Sequence, residues 1–165
     1  MGAAQTKAAP RAIPRILWIT WDTPLSEAPA IVQECVARAR RLHPDWSVRV
    51  VGPDQWSEYV VCPRVLHHLR SQEFTYNHRS DMLRFHLLHH HGGVYMDASV
   101  ILLDSLDWVA EEFKKHPGHA ILYKSDTWTT KEEFPVLESW FIAAPPGHQF
   151  LKRCDITFRR LLEEG

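Results

Sequence analysis

Cysteine is scarce and unpatterned in this chain. Cys35, Cys62 and Cys154 are the three present, with no CxxC or CxxxC spacing. That argues against a structural zinc knuckle, and an odd count gives no self-contained disulfide framework. Cys35 and Cys154 read as small apolar core residues. Long apolar runs are missing too, since none approaches the roughly 20 residues that a membrane-spanning helix requires. Met1 to Arg11 has no hydrophobic stretch of the signal-peptide kind. Residues 1–12 therefore read as a flexible lead-in. The expected location is cytoplasmic, with membrane association only through a missing segment or a partner. Nor is either charge in excess. Nineteen Lys and Arg face 20 Asp and Glu, for a formal net charge of −1. This removes the electrostatic case for nucleic acid or an anionic membrane as partner. Any phosphate-bearing ligand must be held by local groups.

What is present is an ordinary globular composition, 45% hydrophobic and 24% charged over 165 residues. That suffices for one domain, residues 13–165. Pro14 to Trp21 is almost continuously apolar, as expected for a strand buried on both faces. Ala30 to Leu42 places Ile31, Val32, Cys35, Val36, Ala39 and Leu42 on one helical stripe. Trp46 to Val51 reads as a second strand, completing a βαβ unit that favours a parallel sheet. A short helix is expected over 65–69 and a longer one over Asn77 to His91. Strands are expected over Gly93 to Asp97, Ala120 to Tyr123 and Trp140 to Ala144. Val100 to Leu103 reads as extended and 106–115 as helical. An amphipathic helix closes the chain from Phe150 to Leu162.

The polar residues concentrate around the third strand. Ser80, Asp81 and Arg84 share one helix face through i,i+3 and i,i+4 spacing. Gly92-Gly93 stops that helix, and Val94-Tyr95-Met96 delivers Asp97 to a strand end, where open α/β sheets bind ligands. A carboxylate there suits a hard divalent cation or caps a neighbouring helix. Ser99, two residues on in an extended chain, points to the same side. Asp81 and Arg84 read either as a surface ion pair or as groups for sugar hydroxyls and phosphate. Trp18 and Trp21 read as core packing or as nucleobase stackers. His86, His89, His90 and His91 lie on one helix without an HExxH or HxxEH pattern. They read as a solvated helix end, His⁺ being favoured at a C-terminus.

The segments Ile13 to Trp21, Ser80-Asp81-Met82-Leu83-Arg84, Gly92 to Asp97 and Trp140 to His148 together resemble glycosyltransferases with a DXD sugar-binding region. The pattern is similar to that of the family 32 enzymes and of the capsular polysaccharide synthesis proteins. The resemblance implies a GT-A-like (Rossmann-like) nucleotide-sugar-binding fold with a mostly parallel central sheet flanked by helices. It implies transfer of a sugar from a UDP- or GDP-sugar to a glycan or polysaccharide, with retention of anomeric configuration. Trp18 would approach the nucleobase, and Ser80, Asp81, Arg84 and Tyr95 the donor. Asp97 would match the first Asp of DXD and hold Mn²⁺ or Mg²⁺, with Ser99 at the second position. Asp126, in a polar loop, would be an acceptor-side catalytic residue. Relatives continue past the position of Gly165, so the domain reads as compact or truncated. Two alternatives stand beside this: a non-catalytic nucleotide-sugar-binding domain, suggested by Ser99, and a metallohydrolase built on the histidines.

Overall fold

A computed structural model describes residues 12–164; the expected lead-in over 1–12 lies almost wholly outside the described residues. The elements are β1 (Ile16–Thr20), α1 (Ala30–Leu42), β2 (Ser47–Val51), α2 (Trp56–Tyr59) and α3 (Pro63–Arg70). Then follow α4 (Tyr76–His91), β3 (Gly93–Met96), α5 (Asp107–Lys115), β4 (Ile121–Lys124), β5 (Leu137–Ala144) and α6 (Gln149–Glu164). Each expected strand and helix is found within a few residues, except that α2 was not anticipated and Val100 to Leu103 is not a strand.

The five strands form one sheet in the order β2-β1-β3-β5-β4. β1 pairs in parallel with β2 and with β3, whereas β5 runs antiparallel to both β3 and β4. The sheet is therefore mixed, correcting the expectation of a mostly parallel one. The reason is the connection between β4 and β5, which is a hairpin loop and joins antiparallel neighbours, while a helix crossover is needed to keep strands parallel. A buried apolar strand reads alike in either direction, so the sequence pattern was silent on this point.

Strand alternation divides the core between the two faces of the sheet. Leu17, Ile19, Val94, Met96, Phe141 and Ala143 pack with Val32, Val36 and Ala39 of α1 and Val109 of α5. Trp18, Tyr95, Ile142 and Ala144 face Met82, Leu83, Leu87 and Leu88 of α4, together with Leu151 of α6. Helix α4 is thus sandwiched between sheet and outer helices, and seven of its residues are buried, Ser80, Arg84 and His86 among them. Thr75 caps its start by accepting from the His78 amide at 3.3 Å. Its end is set by Gly92 (φ 66°) and Gly93 (φ 103°), where the chain turns at once into β3. A Cβ on Gly93 would lie 2.6 Å from the Ile16 carbonyl oxygen.

Candidate functional site

The C-terminal ends of β1 and β3, the first half of α4 and the start of β5 converge on one cavity of about 390 Å³, lined by Trp21, Tyr76, Asn77, Ser80, Asp81, Arg84, Asp97, Ala98, Ser99 and Ser139. Its floor is a hydroxyl triangle. Thr20 Oγ1, Ser80 Oγ and the Tyr95 hydroxyl lie 3.0 Å from one another. Burial pushes Tyr95 up to about 12, so its hydroxyl keeps its proton and donates it to Asp97 Oδ1 at 3.0 Å. Thr20 and Ser80 then supply their protons within the triangle.

Arg84 is the hub. It is 6% exposed, and its Nη2 lies 3.2 Å from each of Ser80 Oγ, Asp97 Oδ1 and Asp81 Oδ1. Nη1 donates to Ser139 Oγ, and the guanidinium sits 4.7 Å over the Tyr95 ring. One buried cation is thereby fixed by two helix residues, a strand end and a neighbouring strand. The two carboxylates outnumber it. Burial raises the Asp81 carboxyl, Arg84 opposes that rise, and the Asp97 charge adds to it. The cavity accordingly keeps a surplus of negative charge that a bound cation would relieve. The hydrogen bonds to the Asp97 carboxylate among the described residues fall on Oδ1. Asp97, Ser99 and Asp81 are hard oxygen donors of the kind Mg²⁺ and Mn²⁺ select, so the donor set fits such an ion.

Several expected site residues therefore meet: Ser80, Asp81, Arg84, Asp97 and Ser99 on the wall, with Tyr95 beneath. Ser99 arrives differently than expected. β3 stops at Met96, and the chain turns at Asp97, with the Val100 amide donating to the Asp97 carbonyl at 3.1 Å. A tight turn, not strand alternation, brings Ser99 to the cavity. Trp18 does not line it: this side chain is fully buried, and its Nε1 donates to the Gly92 carbonyl at 2.8 Å. Asp126 is not among its lining residues either; its carboxylate is 92% exposed beside Lys124.

The aromatic at the mouth is Trp21, just past β1. It also lines an adjoining cavity of about 470 Å³ with Asp22, Arg40, Gly52 and Gln55. Tyr76 packs against it edge-on with centroids 5.9 Å apart and donates to the Thr20 carbonyl at 3.0 Å. Arg79 clamps Asp22 through Nε at 3.1 Å. Tyr76, Asn77 and Ser139 went unnoticed in the sequence. Tyr76 and Asn77 sit one turn before Ser80 on the same helix, which was a usable signal; Ser139 is brought by the β3–β5 pairing alone.

The histidine cluster is a solvated helix end only in part: His90 is exposed and His89 and His91 are half-buried, whereas His86 lies inside. His86 is fully buried and accepts from the Val61 amide at Nε2, 3.2 Å away. Its ligand atoms, with those of His90 and Asp155, lie within 4.8 Å of one another. An imidazole accepting at Nε2 carries its proton on Nδ1 when neutral, and that nitrogen faces Asp155 Oδ1 at 3.4 Å. This arrangement holds α4 to α6 and leaves His86 no lone pair for a metal.

The model of a family described as capsular polysaccharide synthesis protein matches residues 3–164. The chain is 32% identical over 160 residues to the glycosyltransferase afumC of Aspergillus fumigatus, an alignment covering 89% of this chain and 40% of that protein. It is 25% identical over 155 residues to the O-glycosyltransferase braB of Annulohypoxylon truncatum, covering 88% of this chain and 37% of that one. It thus spans about two fifths of the length of these relatives. Among solved structures, the PaToxG glycosyltransferase aligns with a TM-score of 0.65 at 12% identity, covering 94% of this chain and 64% of that one. The last likeness is one of fold.

Proposed function

The chain belongs to the capsular polysaccharide synthesis protein family, and from this we propose that its cavity is the donor site of a glycosyltransferase using a nucleoside-diphosphate sugar. The observation that carries the reading is the Arg84–Tyr95–Asp97 assembly at the carboxyl ends of adjoining parallel strands, where α/β sheets bind nucleotides. A GT-A-like donor domain is the fold this implies. Breaking the sugar–phosphate bond leaves negative charge on the departing nucleoside diphosphate. Arg84, already desolvated and fixed, meets that charge without reorganisation. Ser80 and Asp81 line the wall where sugar or ribose hydroxyls would be held, and Trp21 with Tyr76 offers ring surface at the mouth. Asp97, with Ser99, would hold Mn²⁺ or Mg²⁺, which when bound supplies charge neutralisation on the diphosphate.

Both carboxylates of the cavity, Asp81 and Asp97, lie 3.2 Å from Arg84. Retention of anomeric configuration is part of this proposal, as the likeness to the family 32 enzymes implies. The acceptor is a glycan or polysaccharide hydroxyl. A second reading, nucleotide-sugar binding without transfer, draws on Ser99 standing where a second carboxylate would strengthen the cation site.

Titration calorimetry with UDP and GDP, with and without Mn²⁺, tests the donor site. We expect one nucleotide to bind in a Mn²⁺-dependent manner, and Asp97→Asn to weaken that binding at least about tenfold, roughly 1.4 kcal/mol. Neither nucleotide binding under any condition would overturn the reading. Release of free sugar from the matching donor separates transfer chemistry from binding alone.

A further inference from the structure

The β4–β5 hairpin carries an observation that the donor site does not use. Its loop, residues 125–136, is internally bonded. The Ser125 amide donates to the Val136 carbonyl at 2.8 Å, the Thr129 amide to the Ser125 carbonyl at 3.1 Å, and the Val136 amide to Thr129 Oγ1 at 3.0 Å. Ser125 is 6% exposed at the loop's base. Yet this ordered loop holds its two large aromatic side chains in water, Trp128 at 71% and Phe134 at 72% exposure. Exposed aromatic surface on a fixed loop marks a recognition surface.

Topology places that loop at the end of the sheet where the cavity opens. β5 runs antiparallel to β3, with Met96 opposite Phe141, so the start of β5 extends beyond the end of β3 where Asp97 sits. Ser139 in β5 is a wall of the cavity. Leu137, two residues earlier and opposite Lys124 of β4, opens into the loop. The aromatics and the cavity therefore lie at the same end of the sheet and are joined by one short strand segment. The loop's chemistry is mixed. Asp126 and Glu132, 92% and 85% exposed at their side chains, belong to the same loop and share Lys124. Carboxylates interrupting aromatic surface suit a ligand with an apolar face and a hydroxylated edge. They do not suit an anionic membrane.

We propose that the 125–136 loop is the acceptor-binding element, with Trp128 and Phe134 stacking on pyranose rings of an oligosaccharide while Asp126 and Glu132 accept from its hydroxyls. This rests on the donor-site reading above and names the side from which the acceptor enters.

The test is the double variant Trp128→Ala/Phe134→Ala, which changes only exposed side chains. Binding is measured on a panel of mannose-, glucose- and galactose-containing oligosaccharides, alongside 2-naphthol and phosphatidylcholine vesicles. Saturable binding to at least one oligosaccharide is expected, weakened tenfold or more in the variant, with Mn²⁺-dependent nucleotide binding unchanged. The proposal is overturned if no oligosaccharide binds, if the variant binds as the parent does, or if only 2-naphthol or vesicles are lost. If the nucleotides bind while the loop result fails, only the acceptor assignment falls. If nucleotides fail to bind the parent chain, the donor reading itself falls.

Discussion

Tyr95 shows how single residues make this site. It lies under the cavity, not in it, and its hydroxyl joins Thr20, Ser80 and Asp97. Tyr95→Phe removes the proton given to Asp97 and leaves Thr20 and Ser80 bonded to each other. We expect a stability loss of about 1 to 2 kcal/mol by urea unfolding and a weaker Mn²⁺ dependence of nucleotide binding, because Asp97 loses an orienting partner. Arg84 is the more severe case. Arg84→Ala leaves two carboxylates facing each other in a half-buried wall and removes a desolvated hub, so a loss of about 3 kcal/mol is expected. A urea midpoint equal to that of the parent would contradict this. The shared helix face of Ser80, Asp81 and Arg84, and the place of Asp97 at a strand end, were legible in the sequence, because helix spacing and a strand end fix their directions locally. The fate of Trp18 was not. An aromatic in an apolar strand reads the same whether its ring reaches a ligand or, as here, packs against Tyr59 and His91.

At the level of elements, the junction between α4 and β3 decides the register of the whole site. Gly93 adopts φ 103° against the Ile16 carbonyl oxygen, so Gly93→Ala meets both backbone strain and a clash. A loss of at least about 2 kcal/mol is expected, read as a fall in melting temperature. The double glycine announced this turn in the sequence.

The α4–α6 contact was less visible, and it is where pH acts. Burial lowers His90 to about 4, with His86 and His89 adding to the effect, and burial lowers His89 in the same direction. The unfolded chain therefore binds more protons than the folded one between the ordinary histidine value and about 4. Stability is full above that window and falls as pH drops through it. Asp155 acts below it. Burial would raise its carboxyl, but the His86 ring facing it and the Arg159 guanidinium bring it below its ordinary value. Its contribution is lost only as pH falls past the ordinary carboxylate range. His90 is only partly desolvated and keeps an exposed face, so His90→Gln should flatten the melting-temperature profile between pH 6.5 and 4.5 only modestly. A steeper profile in the variant would contradict the sign.

For the whole molecule, the two-sided core assigns α6 a structural role. Leu151 is fully buried, Phe158 packs on Phe85, and Asp155 meets His86. Ending the chain at residue 148 would uncover that face of α4. We expect the shortened chain to lose its cooperative thermal transition in near-ultraviolet circular dichroism, whereas a retained transition would show the sheet and α4 to suffice. Among the described residues no helix is long and apolar enough to cross a membrane, in line with the hydropathy of the sequence.

Legible in the chain alone are most of the elements, the shared helix face of Ser80, Asp81 and Arg84, Asp97 at a strand end, and the sharp turn at Gly92-Gly93. These depend on periodicity, spacing and backbone sterics over a few residues. Strand direction, the burial of Trp18 and His86, the place of Trp21 on the cavity and the arrival of Ser139 on its wall come from the three-dimensional fold. Those depend on which strands lie side by side, and pairing across scores of residues leaves no local mark in the chain.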